Sequence, residues 1–103
     1  MIFEVRRAIK SDHPSLPGHF PGAPLVPGVV ILDEVLDALT ERFPERELTA
    51  IRTVKFLAPL KPEQPFAIRF APTREDSDQI KFCCYIEERV IVEGLLEAGF
   101  ATQ

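Results

Sequence analysis

The sequence predicts an α+β domain in which one helix packs on a single antiparallel sheet. Apolar residues recur at helical spacing over residues 29–42, whereas several other segments are strand-like, with apolar residues alternating. Ten prolines and five glycines, unevenly placed, punctuate the chain. The strand-like segments after the helix follow one another directly, so they can pair as antiparallel neighbours and cover it from one side.

Residues 2–9 (IFEVRRAI) hold enough branched apolar residues for a short strand. The stretch SDHPSLPGHFPGAPLVPG follows, with prolines at 14, 17, 21, 24 and 27. Each fixes φ and removes an N–H donor, which forbids both a helix and a central strand. It reads as a long stiff loop, yet it carries Leu16, Phe20, Leu25 and Val26. A partly apolar loop of that length is more often functional than slack. Pro27-Gly28 ends it, and VVILDEVLDALTER (29–42) reads as a helix with Val29, Leu32, Leu36 and Leu39 at core spacing. The first turn is apolar all round, while Glu34, Asp37, Glu41 and Arg42 come later. The helix is therefore expected to start deep in the core and emerge toward its C-terminal end, stopping before Pro44.

Strands are expected at 48–58 and at 66–71, the latter with Phe66, Ile68 and Phe70 on one face. Ile80, Phe82, Cys84 and Ile86 alternate in a further strand, and a tight connection near Glu88-Arg89 joins it to 90–98 as a hairpin. The acidic run Glu75-Asp76-Ser77-Asp78 reads as a solvated turn.

Length and charge narrow the possibilities. A chain of 103 residues makes one domain, taken as 1–103, and a domain this small gains from association with a second copy. The net charge of -4 argues against a nucleic-acid binder. No apolar run approaches the ~20 residues that span a bilayer. The start lacks the basic-then-apolar order of a signal peptide, so a soluble cytoplasmic protein is expected. Cys83 and Cys84 are neighbours in a strand and point to opposite faces, so they are read as reduced packing residues.

Three residues invite chemistry. Asp33 follows four aliphatic residues near the start of the helix. A carboxylate there is paired, protonated or placed in a cavity, unless it faces solvent beside Asp37. His19 lies between Gly18 and Phe20 in the stiff loop and suits either a structural hydrogen bond or proton transfer. His13, beside Pro14, reads as a surface loop residue. Gly28 stands at the helix start, where unpaired N–H donors meet the positive end of the helix dipole. It can hold a carbonyl oxygen gaining negative charge, or merely permit the bend into the helix.

Together these residues fall into a pattern. The string from His19 through Phe20-Pro21-Gly22-Ala23-Pro24-Leu25-Val26-Pro27-Gly28 to Asp33 resembles the signature of bacterial 3-hydroxyacyl-acyl carrier protein dehydratases of the FabA and FabZ type. The spacing of 14 positions from His19 to Asp33 is the family's own. The downstream VKFLAPLKPEQPFAIRF resembles the family's second and third strands with their proline-rich turn. The short length makes the chain look most like the compact ApeI-like dehydratases of aryl polyene biosynthesis. It departs from the FabZ branch in carrying Asp rather than Glu at 33, as FabA-type enzymes do, and Glu34-Val35-Leu36-Asp37 in place of Ala-Met-Ala-Gln.

The resemblance implies a hot-dog fold, in which a sheet wraps one long helix. It also implies a dimer with active sites built across the interface, His19 from one subunit and Asp33 from the other. His19 would take the proton from C2 of a (3R)-hydroxyacyl thioester, and Asp33 would protonate the hydroxyl leaving C3. Gly28 N–H would polarise the thioester carbonyl, and the Leu25 carbonyl would orient the His19 ring. Phe20, Leu25, Pro27 and Val29 would line the substrate's path. The reaction needs no metal or organic cofactor.

The partner implied is acyl carrier protein, which is acidic, so a basic rim is expected among Arg6, Arg7, Arg52, Lys55, Lys61 and Arg69. Pairing with a different hot-dog chain also remains open. The residues equally admit the reverse hydration, thioester hydrolysis, or a non-catalytic subunit that binds the carrier.

Overall fold

The computed structural model describes residues 3–10, 12, 25–74 and 77–100. Five strands and one helix run in the order β1 (Phe3–Arg7), α1 (Gly28–Arg42), β2 (Arg46–Phe56), β3 (Phe66–Pro72), β4 (Gln79–Ile86) and β5 (Arg89–Phe100). The strands form one sheet in the order β1-β3-β4-β5-β2, and every neighbouring pair is antiparallel. One helix against one curved antiparallel sheet is the expected hot-dog architecture. His13, His19, Phe20 and most of the proline-rich loop lie outside the described residues, as do Glu75 and Asp76 of the acidic turn.

The core is the helix-facing side of the sheet. Phe66, Ile68 and Phe70 of β3, Ile80, Phe82 and Cys84 of β4, and Val92, Leu96 and Ala98 of β5 are buried there against Val30, Ile31, Val35, Ala38 and Leu39 of α1. The period-2 alternation expected for β3 and β4 is what puts these residues on one face. Phe43, just beyond the helix, meets the rings of Phe3 at 5.1 Å and Phe70 at 6.0 Å edge-on, closing the core's far end. Cys84 packs in the core, and burial pushes its thiol up to about 12, with the neighbouring Cys83 adding to the shift. Cys83 points to the other face, and both thiols are free.

Bulges bend the sheet around the helix. The β2–β5 register shifts between Leu48 and Ala50 and again between Ile51 and Thr53, and the β4–β5 register shifts between Cys84 and Tyr85. The Glu87-Glu88 connection makes the expected hairpin, with Glu87 at a left-handed φ of 56°.

The helix corrects two expectations. It does not run from core to surface; it keeps a buried face along its whole length, from Val30 and Ile31 to Ala38 and Leu39. Val29 is not in that face and is 63% exposed. The reason is geometric: at 100° per residue, Val29, Asp33 and Asp37 fall on one stripe, turned from the sheet. Among the described residues no helix is long and apolar enough to cross a membrane.

Arg7 ties β1 to the helix. Its guanidinium reaches Glu41 at 2.5 Å, Asp37 at 3.7 Å and Glu34 at 3.9 Å, which holds it firmly charged, Glu41 foremost. Arg42 donates to the Glu4 carbonyl at 3.1 Å from the helix's last turn.

Candidate active site

Among the described residues no side chain caps the N-terminus of α1. Its N-cap is Pro27, which has no side-chain acceptor, and the first turn carries no acid. The Pro27 carbonyl accepts from Val30 at 3.0 Å and Ile31 at 3.4 Å. The N–H groups of Gly28 and Val29 have no partner among the described residues. Two unfilled donors at the positive end of a four-turn helix attract an oxygen that carries negative charge.

An apolar cavity of about 530 Å³ lies at this end, lined among others by Val26, Gly28, Ile31, Phe56, Leu57 and Leu60. That volume falls in the range of small-molecule sites. Its far wall is the segment following β2, held in place by backbone bonds. Leu57 and Ala58 both donate to the Ile91 carbonyl, at 2.7 and 3.2 Å, and Val26 donates to the Leu60 carbonyl at 2.8 Å. The last of these pins the end of the proline-rich loop to the cavity wall.

Gly28 has a further reason to be glycine. A side-chain carbon there would sit 2.8 Å from two ring carbons of Phe56. What requires glycine here is the space taken by the ring, since Gly28 lies within α1 at a φ open to any residue.

Asp33 is exposed in the single chain, not enclosed by the aliphatics that precede it. It differs from the helix's other acids in one respect. Glu34, Asp37 and Glu41 all face Arg7, whereas Asp33 makes no hydrogen bond or ion pair among the described residues. Leu25 and Pro27 are partly buried beside the helix start. The structure thus brings Gly28, Pro27 and Leu25 to one end of the fold, with Val29 and Asp33 on the exposed stripe of the same helix end.

Of the six basic candidates, four are engaged by acids. Arg52 grips Glu97 with two bonds of 2.7 and 2.9 Å, Arg69 donates to Glu4 at 2.7 Å, Arg6 stands 3.8 Å from Glu4, and Arg7 serves the helix. Lys55 and Lys61 have no acidic partner among the described residues, and they bracket the wall segment that carries Phe56 and Leu57. Phe56 and Leu57 themselves escaped the sequence reading, which took them for ordinary strand residues. They are 52% and 53% exposed, although they are large and apolar.

Comparison with known proteins bears on the family and the fold. The sequence model of the ApeI-like family, described as ApeI dehydratase, matches residues 2–95. No curated protein matches the sequence. Among solved structures, the dehydratase heterocomplex ApeI:P from Xenorhabdus doucetiae superposes with a TM-score of 0.80 at 22% identity, covering 95% of this chain and 87% of that one. An uncharacterised protein from Erwinia carotovora subsp. atroseptica gives 0.82 at 23% identity, with 99% and 86% covered. A mutant of the fluoroacetyl-CoA-specific thioesterase FlK gives 0.72 at 12% identity, with 98% and 85% covered. Likeness at these identities establishes the fold alone.

Proposed function

Because the chain belongs to the ApeI-like dehydratase family, we propose that this hot-dog dehydratase removes water from (3R)-hydroxyacyl thioesters carried on acyl carrier protein. The products are trans-2-enoyl thioesters, in fatty-acid or aryl polyene-type biosynthesis in the cytoplasm. The observation that carries the reading is the apolar cavity lined by Gly28, at a helix end where the Gly28 and Val29 amides have no partner among the described residues. A thioester carbonyl held there gains negative charge as C2 loses its proton, and fixed donors stabilise that charge without reorganising. His19 takes the C2 proton, Asp33 delivers one to the hydroxyl on C3, the C3–O bond breaks, and water leaves as the C2–C3 double bond forms. No cofactor takes part in these steps. The test is direct: the purified protein, given a 3-hydroxyacyl-acyl carrier protein, yields a product lighter by one water. Release of free acyl acid instead would mark a thioesterase, and an unchanged substrate on a bound carrier would mark a non-catalytic subunit.

The site is completed by a second chain. The two sheet edges differ: β1 has five residues and exposes Arg6, whereas β2 has eleven and leaves Leu48 40% and Ile51 41% exposed. Short charged edges resist pairing, and long edges with exposed apolar residues invite it. Joining β2 to the β2 of a second copy would cover Leu48, Ile51 and Phe56. Ile51→Asp is expected to turn a dimer into a monomer in sedimentation and to remove activity with it. A chain that is monomeric alone, yet dimeric and active with another hot-dog subunit, would point to hetero-pairing, as in the ApeI:P complex.

Lys55 and Lys61 fit the carrier's acidic surface. The double substitution Lys55→Glu, Lys61→Glu is expected to lower kcat/KM for a carrier-bound substrate by roughly tenfold at low salt, less as salt rises. Turnover of the same acyl group on a small neutral thiol should hardly change. Equal losses on both substrates would remove these lysines from carrier recognition.

A further inference from the structure

We propose that Phe56 decides which acyl chains this site accepts, by excluding substituents on the carbon next to the thioester carbonyl. The inference rests on the dehydratase reading above and adds to it a residue that chooses the substrate.

In a helix every Cα–Cβ bond tilts toward the N-terminus. The space that a Gly28 side chain would fill therefore lies beside the open end of α1, and the Phe56 ring occupies it. Two ring carbons stand 2.8 Å and a third 3.3 Å from that side-chain position. A carbonyl oxygen bound by Gly28 and Val29 N–H has C2 two bonds away, so C2 comes to rest against the ring. The acyl chain beyond C3 continues past Ile31 and Leu60, along apolar wall. A hydrogen on C2 fits between ring and amides; a methyl group meets the ring.

The ring's backbone is anchored. Phe56 pairs with Val92 across β5, and the next residue donates to the Ile91 carbonyl at 2.7 Å. The strand therefore holds the Phe56 backbone where its ring reaches Gly28. A steric barrier of one methyl group in an apolar site is worth about a tenfold or larger preference.

The experiment compares two substrates on one preparation: an unbranched 3-hydroxyacyl thioester and its 2-methyl analogue, which keeps a C2 hydrogen and can still lose water. Their kcat/KM ratio is independent of how much of a variant is folded. Phe56→Ala is expected to raise the branched-to-unbranched ratio about tenfold over wild type, and Phe56→Leu to raise it less. A ratio unchanged within about twofold overturns the role of Phe56. So does loss of both reactions in both variants, which would make the ring necessary for turnover itself. Wild-type protein that leaves the unbranched substrate intact breaks the dehydratase reading, and the role of Phe56 falls with it.

Discussion

Replacing His19 by Ala or Asp33 by Asn is expected to abolish water loss from a 3-hydroxyacyl thioester, each lowering kcat/KM by about a thousandfold. If the two groups serve one proton path, as proposed, the double variant should be little worse than either alone. The loss in Asp33→Asn should not come from unfolding. Asp33 is exposed and touches no ion pair among the described residues, so Asp33→Asn should leave stability within about 0.5 kcal/mol. Asp37→Asn is the matching control: it lies one turn along the same stripe and faces Arg7 at 3.7 Å. It should retain activity. If Asp33→Asn keeps turnover while Asp37→Asn loses it, the acid has been assigned to the wrong turn of the helix.

The second large effect concerns the sheet. Gly94 of β5 lies opposite Val54 of β2 and Phe82 of β4. A side-chain carbon there would stand 2.3 Å from the Thr53 carbonyl oxygen and 2.6 Å from the Phe82 ring. The ring edge cannot retreat, because Phe82 is 1% exposed and packed on all sides. The carbonyl belongs to the β2 backbone, so relief requires moving a strand. Gly94→Ala is expected to destabilise the protein by about 1–3 kcal/mol, read from chemical denaturation. The shift of β2 should also loosen dimer formation, since β2 is the edge available for pairing. A stability unchanged by Gly94→Ala would mean that the strand moves at no cost, contrary to the β2–β5 ladder that holds it.

How much of this was legible beforehand follows from the range of the interactions involved. Period-2 alternation in FAIRFA and QIKFCCYI is local, and it placed Phe66, Ile68, Phe70, Ile80, Phe82 and Cys84 on the buried face. The α1 boundaries were readable within one residue at the start, because Pro27-Gly28 and Pro44 act on their immediate neighbours. Val29 misled, because its apolar character says nothing about direction when the whole first turn is apolar. Only the phase of the helix against the sheet separates Val29 from Val30, and that phase is set by Val35, Ala38 and Leu39 packing on strands far along the chain. The ends of β2, expected at 48–58 and found at Arg46–Phe56, moved for a similar reason: pairing with β5 through two bulges decides where the ladder stops.

The sequence by itself determined the architecture, one helix on one antiparallel sheet, and set out His19, Gly28 and Asp33 in the order that the proposed chemistry uses. Those are properties of spacing and residue type, which survive without coordinates. Tertiary structure alone decided the surroundings: that Arg7 occupies Glu34, Asp37 and Glu41, and that Phe56 lies on Gly28. Each joins residues more than twenty positions apart, and such contacts depend on how strands pair and on which way a helix is turned.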